Sequence, residues 1–64
     1  MTAQEIFDLG QEHRRNTRFG EAINAFRAVM ASPDATPELI SRSQASVELI
    51  QEINGFVNTD LMNP

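Results

Sequence analysis

The sequence contains no cysteine and no lysine. Without cysteine, neither a disulfide framework nor a thiolate metal site can reinforce the core. That core is small, because a 64-residue domain buries only about 60% of the surface of its unfolded chain. His13 is the only histidine, so the chain lacks the imidazole and thiolate ligands that zinc needs, and we expect no metal and no cofactor. The usual remaining supplements are well-formed helix packing or self-association, so stability must come from helices packing on helices.

Sequences that direct a chain to or across a membrane are also missing. The first 15 residues lack the basic start and the continuous apolar run of a signal peptide, and no later stretch is long enough to span a bilayer. We therefore expect a cytoplasmic protein without membrane contact.

Motifs that carry catalysis are lacking as well. The three glycines are isolated, so no glycine-rich phosphate loop exists, and there is no nucleophile motif. Two carboxylate pairs with helical spacing, Asp8 with Glu12 and Glu48 with Glu52, are typical of solvated helix faces. Three short helices leave little room for a pocket that would raise a carboxylate pKa. We expect the protein not to be an enzyme.

Charge is distributed unevenly along this small acidic chain, whose net charge is −4. Residues 1–32 carry four acids and four arginines, whereas residues 33–64 carry five acids and Arg42 alone. The acidic half would repel a phosphate backbone, and Arg14, Arg15 and Arg18 form too small a basic cluster for nucleic-acid binding. Cations near the end of a helix complement its dipole, which is the simpler interpretation of those arginines.

A first helix is predicted over residues 3–15. Thr2 and Glu5 have the spacing of a capping box that opens a helix. Apolar spacing predicts a buried stripe, which consists of Ala3, Ile6, Leu9, Gly10 and His13. Because glycine within a helix costs about 1 kcal/mol relative to alanine, Gly10 indicates a neighbouring helix that approaches too closely to admit a methyl group.

A second helix is predicted over residues 18–31, after a polar break at Asn16 and Thr17. Its apolar residues recur with helical period until Pro33. Since only a few residues join the two amphipathic helices, they should form an antiparallel hairpin, with Ala22 admitting the backbone near Gly10.

A third helix should begin at Thr36-Pro37-Glu38, which supplies an N-cap, a proline at the first helical position and an acid for the positive helix end. Asn54-Gly55 leaves its end open between about residue 54 and 58. Residues 59–64 are then either a frayed tail or a short ordered extension.

The order and spacing of several residues resemble the tetratricopeptide repeat, a helical interaction motif. The matching positions are Leu9, Gly10, Phe19, Ala22, Ile23, Phe26 and Pro33. The resemblance implies one all-α domain over residues 1–64, of the α-α superhelix type. It would comprise a repeat hairpin at 3–36, a third or capping helix at 37–58 and a tail at 59–64. Ile6 and His13 stand where the family prefers tryptophan and tyrosine.

The family resemblance also implies a protein or peptide partner in the groove lined by the first helix. The groove positions would be Phe7, Gln11 and Arg14. Absence of lysine argues against the carboxylate clamp of one family subgroup. Phe7 has two interpretations: it offers an apolar contact to a partner, or it packs under the chain's own third helix.

The third helix indicates self-association. Residues Ile40, Ser43, Val47, Ile50, Asn54, Val57 and Leu61 step by three and four, as in a coiled-coil seam. Packing along the chain's own hairpin explains the first half of that series equally well. Several apolar residues lie beyond the hairpin's length and favour a homodimer, namely Ile53, Phe56, Val57, Leu61 and Met62. The alternative is a monomeric peptide-binding adaptor that uses the first-helix groove. One repeat with a cap is short for the family, and self-association would supply the missing burial.

Overall fold

The computed structural model describes residues 1–54 as three helices, with no strand in that part of the chain. They are α1 (Ala3–Arg15), α2 (Phe19–Met30) and α3 (Pro37–Asn54). The all-α prediction is confirmed, and α2 is one residue shorter at each end than the sequence predicts. Extension of the third helix to residue 58 and the tail at 59–64 lie outside the described residues.

The beginning of α1 is a complete capping box. The Thr2 hydroxyl accepts a hydrogen bond from the Glu5 amide at 3.2 Å, and the Thr2 amide donates to the Glu5 carboxylate at 2.8 Å. The bond that the Thr2 backbone amide donates favours the ionised carboxylate, so this amide first, and the Thr2 side chain second, lower the pKa of Glu5 below its ordinary value. The helix start predicted from Thr2 and Glu5 is confirmed.

The turn between α1 and α2 is a Schellman motif. The Arg18 amide donates to the His13 carbonyl at 2.8 Å, and the Thr17 amide donates to the Arg14 carbonyl at 3.1 Å. This motif requires a left-handed residue, usually glycine, after the C-cap. Here Thr17 takes that conformation with φ of 59°. A β-branched residue at positive φ is strained, so the turn is held against a local conformational cost.

Asp34 joins the loop after α2 to the beginning of α1. Its carboxylate accepts from the Ala3 amide at 3.0 Å and also from the Ser32 hydroxyl. The Ser32 bond first, and the Ala3 bond second, lower the pKa of Asp34. Because Ala3 opens α1, the end of α2 lies beside the start of α1, as an antiparallel hairpin requires.

The third helix begins at the predicted residue. The Leu39 amide donates to the Thr36 hydroxyl at 3.1 Å, and the Ile40 amide donates to the Thr36 carbonyl at 3.0 Å. Thr36 is therefore the N-cap, and Pro37 occupies the first helical position, where its missing N–H is harmless.

Helix α2 is the centre of the core, packing extensively on α1 and on α3, whereas α1 and α3 touch each other little. A Cβ atom on Gly10 would lie 2.8 Å from Cε1 of Phe26. The close approach predicted at Gly10 is confirmed, but the nearest group is the Phe26 ring and not the backbone near Ala22. The ring lies across the face of α1, so the absent side chain of Gly10 makes room for it.

The buried face of α1 differs from the predicted stripe. Ala3, Phe7 and Gly10 are buried, whereas Leu9 is 37% exposed. Ile6 and His13 are half-buried at the edge. Successive residues of a helix turn by about 100°, so Leu9 stands far around the helix from Phe7. The inclusion of Leu9 in the buried stripe is wrong, because α2 and α3 together cover the side that carries Phe7.

The buried face of α3 comprises Leu39, Ser43, Val47 and Ile50. Ser43 is fully buried, and its hydroxyl has no hydrogen-bond partner among the residues that the structure describes. The first half of the predicted seam therefore packs on the chain's own hairpin. Ser43 therefore places one polar atom, unsatisfied by the described residues, on the packed face of α3.

Candidate functional site

Phe7, the first predicted groove residue, lies between α1, α2 and α3. Its ring centroid is 5.5 Å from that of Phe26 in a tilted arrangement, and the Arg42 guanidinium lies 5.2 Å from the Phe7 centroid. Only 4% of Phe7 is exposed. The structure therefore agrees with the second interpretation, in which Phe7 packs under the third helix, and it leaves no open apolar surface at this position.

The other groove residues follow Phe7 along the same side of α1. Gln11 and Arg14 are each half-buried. The three positions step by four and three residues along α1, so they share one side of the helix, which runs from Phe7 beneath Arg42 to Arg14 in the last turn.

The most exposed large apolar side chains of the described helices lie on the later turns of α3. Leu49 is 41% exposed and Ile53 is 69% exposed, and Ala45 is exposed one turn before them. Residues four apart on a helix are neighbours, so the three form one line along the surface, which we call the α3 stripe. An apolar line of this kind, on a helix whose other face is packed, is typical of an interface.

Only Ile53 of the predicted self-association residues falls within the described part of the chain. Phe56, Val57, Leu61 and Met62 lie outside the described residues. Leu49 belongs to the same surface although the sequence analysis did not assign it there. Its position four residues before Ile53, and off the series that contains Val47 and Ile50, is the signal that would have identified it.

Charged side chains follow one side of the α3 stripe. Glu48 and Glu52 are exposed along one edge, where the Gln44 side-chain amide donates to the Glu48 carboxylate at 3.5 Å. Arg42 is also exposed, about one turn before Ala45, with its guanidinium over the Phe7 ring of α1. The stripe is therefore an apolar line with one acidic edge.

The residues that carried the family resemblance divide into two groups. Four are buried, namely Gly10, Ala22, Ile23 and Phe26, and Phe19 is half-buried against them. Leu9 and Pro33 are exposed. The buried group explains how the hairpin packs. Phe26 is at the centre of that packing, because its ring lies beside the Phe7 ring and fills the space above Gly10.

The carboxylate pairs noted in the sequence are all exposed in the structure. Within residues 1–54, no group of three or more histidine, aspartate or glutamate side chains is placed to hold a metal ion. None of the three helices is long and apolar enough, over the residues described, to cross a bilayer.

No protein-family model, no curated protein and no solved structure matches this chain.

Proposed function

We propose that this chain is a non-enzymatic protein–protein interaction module of the tetratricopeptide type, which self-associates through the C-terminal part of α3 and acts in the cytoplasm. The observation that carries the proposal is the α3 stripe, where Leu49 and Ile53 are exposed side by side. Its function would be binding alone, with protein surfaces as partners and without nucleic acid, membrane, metal or cofactor.

Energetic considerations extend the contact beyond the α3 stripe. Full burial of a leucine or isoleucine contributes about 1.5–3 kcal/mol, and association costs on the order of 4–15 kcal/mol in lost freedom. Leu49 and Ile53 from two copies are too few to leave a large surplus. The proposed interface therefore includes the apolar residues that follow α3 in sequence, Phe56, Val57, Leu61 and Met62.

The test is the solution mass, measured by light scattering across a dilution series, of wild type and of Leu49→Asp. We expect a dimer for wild type and a monomer with unchanged helicity for the variant. Leu9→Asp is the matched control, because Leu9 is also an exposed helical leucine. It should stay dimeric. A wild-type monomer at all concentrations, or a Leu49→Asp dimer as stable as wild type, would overturn the proposal.

A monomeric adaptor that binds peptides through Phe7, Gln11 and Arg14 is the other candidate. Burial of Phe7 beneath Arg42 supports it less well than the open α3 stripe supports self-association. A wild-type monomer that binds peptides, and loses them on Arg14→Ala, would favour this adaptor.

A further inference from the structure

Two contacts made by charged side chains join α1 to residues that follow α2. Asp34 stands in the loop before α3, and its carboxylate accepts from the Ala3 amide, at the first residue of α1, at 3.0 Å. Arg42 stands in the second turn of α3, and its guanidinium lies 5.2 Å from the centroid of the Phe7 ring. Ala3 and Phe7 are four residues apart, so both contacts meet the same side of α1 on successive turns.

Apolar packing between α1 and α3 does little to fix their relative position. Both helices pack mainly on α2, and they touch each other little. Packed helix pairs adopt a range of crossing angles, so contact with α2 alone does not determine where α3 lies relative to α1. A constraint that acts directly between α1 and the segment around the start of α3 is therefore needed.

From these contacts we propose that Asp34 and Arg42 form a two-point clasp, which holds α3 against α1 and keeps the Phe7 side of α1 closed. The Asp34 end holds the loop at the start of α1. The Arg42 end holds the second turn of α3 over a ring that is only 4% exposed. Because Asp34 and Arg42 are themselves exposed, the clasp can open without unfolding the core. This device goes beyond the proposed self-association and does not depend on it.

Each end of the clasp is weak by itself. A cation–π contact at an exposed site shifts an equilibrium by about twofold to fivefold, and a single hydrogen bond contributes a comparable amount. Loss of either end should therefore let α3 move away from the hairpin more often, while the protein stays folded.

Thiol labelling tests the clasp, because the native chain has no cysteine. Ser43→Cys replaces a fully buried serine on the packed face of α3 with a side chain of similar shape, so its reaction with a thiol reagent reports movement of α3 off the hairpin. In that background, at dilutions where the protein is monomeric, Arg42→Met and Asp34→Ala should each speed labelling by about twofold to fivefold. The double variant should label faster than either single variant.

Conservative variants separate the clasp from general effects of substitution. Arg42→Lys keeps a cation over the ring, and Asp34→Asn keeps an acceptor oxygen, so each should label more slowly than its truncated counterpart. Arg27→Met is the matched control, because it removes an exposed arginine from α2, and it should label at the rate of the Ser43→Cys protein. Labelling should be nearly independent of urea at low concentrations, since a local movement exposes little surface.

Two results would overturn the clasp. In the first, Arg42→Met and Asp34→Ala label no faster than Arg27→Met, which would mean that packing on α2 suffices to hold α3. In the second, the faster labelling rises steeply with urea, which would mean that the substitutions weaken the whole fold. Faster labelling that is independent of low urea, and is largely reversed by Arg42→Lys, supports the clasp.

Discussion

The central helix and the last turns of the third helix treat apolar side chains in opposite ways. Helix α2 buries Ala22, Ile23, Phe26 and Val29 between two neighbours, whereas α3 leaves Leu49 and Ile53 in solvent. The difference arises from position and not from hydrophobicity. Among the residues that the structure describes, α2 is covered on two sides, but α3 has a neighbour only on the side of the hairpin. Apolar residues of similar type therefore stabilise the core in α2 and remain exposed in the later turns of α3.

The largest loss of stability should come from truncating the side chain at the centre of the core. Phe26→Ala removes a fully buried ring and should lower the free energy of unfolding by about 3–5 kcal/mol. Leu49→Ala, which shortens an exposed side chain, should change it by less than about 1 kcal/mol. Urea unfolding followed by circular dichroism, at concentrations where each protein is monomeric, measures both. Equal losses would show that the α3 stripe is part of the core.

The two glycines in the described helices, Gly10 and Gly20, differ in the same way, since one lies against the core and the other in open space. Gly10→Ala puts a methyl group against the buried Phe26 ring and should destabilise the fold by about 1–3 kcal/mol, despite alanine's higher helix propensity. Gly20→Ala meets no atom within 4 Å and should stabilise it by up to about 1 kcal/mol. Thermal unfolding of the two variants provides the comparison. A stabilising Gly10→Ala would mean that Phe26 can yield without loss.

The strained turn of the hairpin predicts a gain. Thr17→Gly relieves the positive φ at the Schellman position and should raise the free energy of unfolding by about 1 kcal/mol. Thr17→Val keeps a β-branched side chain there and should give no gain. Chemical denaturation of the three proteins measures the difference, and a destabilised Thr17→Gly would contradict the assigned strain.

The smallest expected effect is a change in how stability depends on pH at acidic values. The pKa of Asp34 is lower in the folded protein than in the unfolded chain, so its bonds to Ser32 and Ala3 stabilise the fold at neutral pH. That contribution is lost as pH falls below about 4 and through the folded-state pKa. Asp34→Asn should therefore show a weaker fall in melting temperature between pH 6 and pH 2 than wild type. An Asp34 carboxyl that titrates at its ordinary value by NMR would remove the basis for this expectation.

Local sequence signals predict the starts of α1 and α3. The capping box at Thr2 and Glu5 and the Thr36-Pro37 pair act within a few residues, so neither depends on the rest of the chain. The Schellman turn was missed because Thr17 stands where glycine is expected. Its only signal is the short polar break.

Side-chain burial was harder to predict because it depends on distant helices. Phe7 and Leu9 are both apolar and two residues apart, and which of them is buried depends on where α3 packs. The Arg42 guanidinium over Phe7 joins residues far apart in sequence, and helical periodicity carries no information about such a contact. For the α3 stripe, the sequence indicates Ile53 as an interface residue. The exposure of Leu49 becomes evident only from the way α3 packs on the hairpin.

The buried Ser43 hydroxyl bears on the order in which the molecule opens. A polar group that is left unsatisfied by the described residues costs about 1–3 kcal/mol, and here that penalty falls on the packed face of α3. The α1–α2 hairpin carries no such defect at Gly10 and Phe26. Amide protons of α3 should accordingly exchange through a partial unfolding event in which the third helix detaches while the hairpin persists. Such opening would release the helix that carries the α3 stripe while the α1–α2 hairpin stays folded.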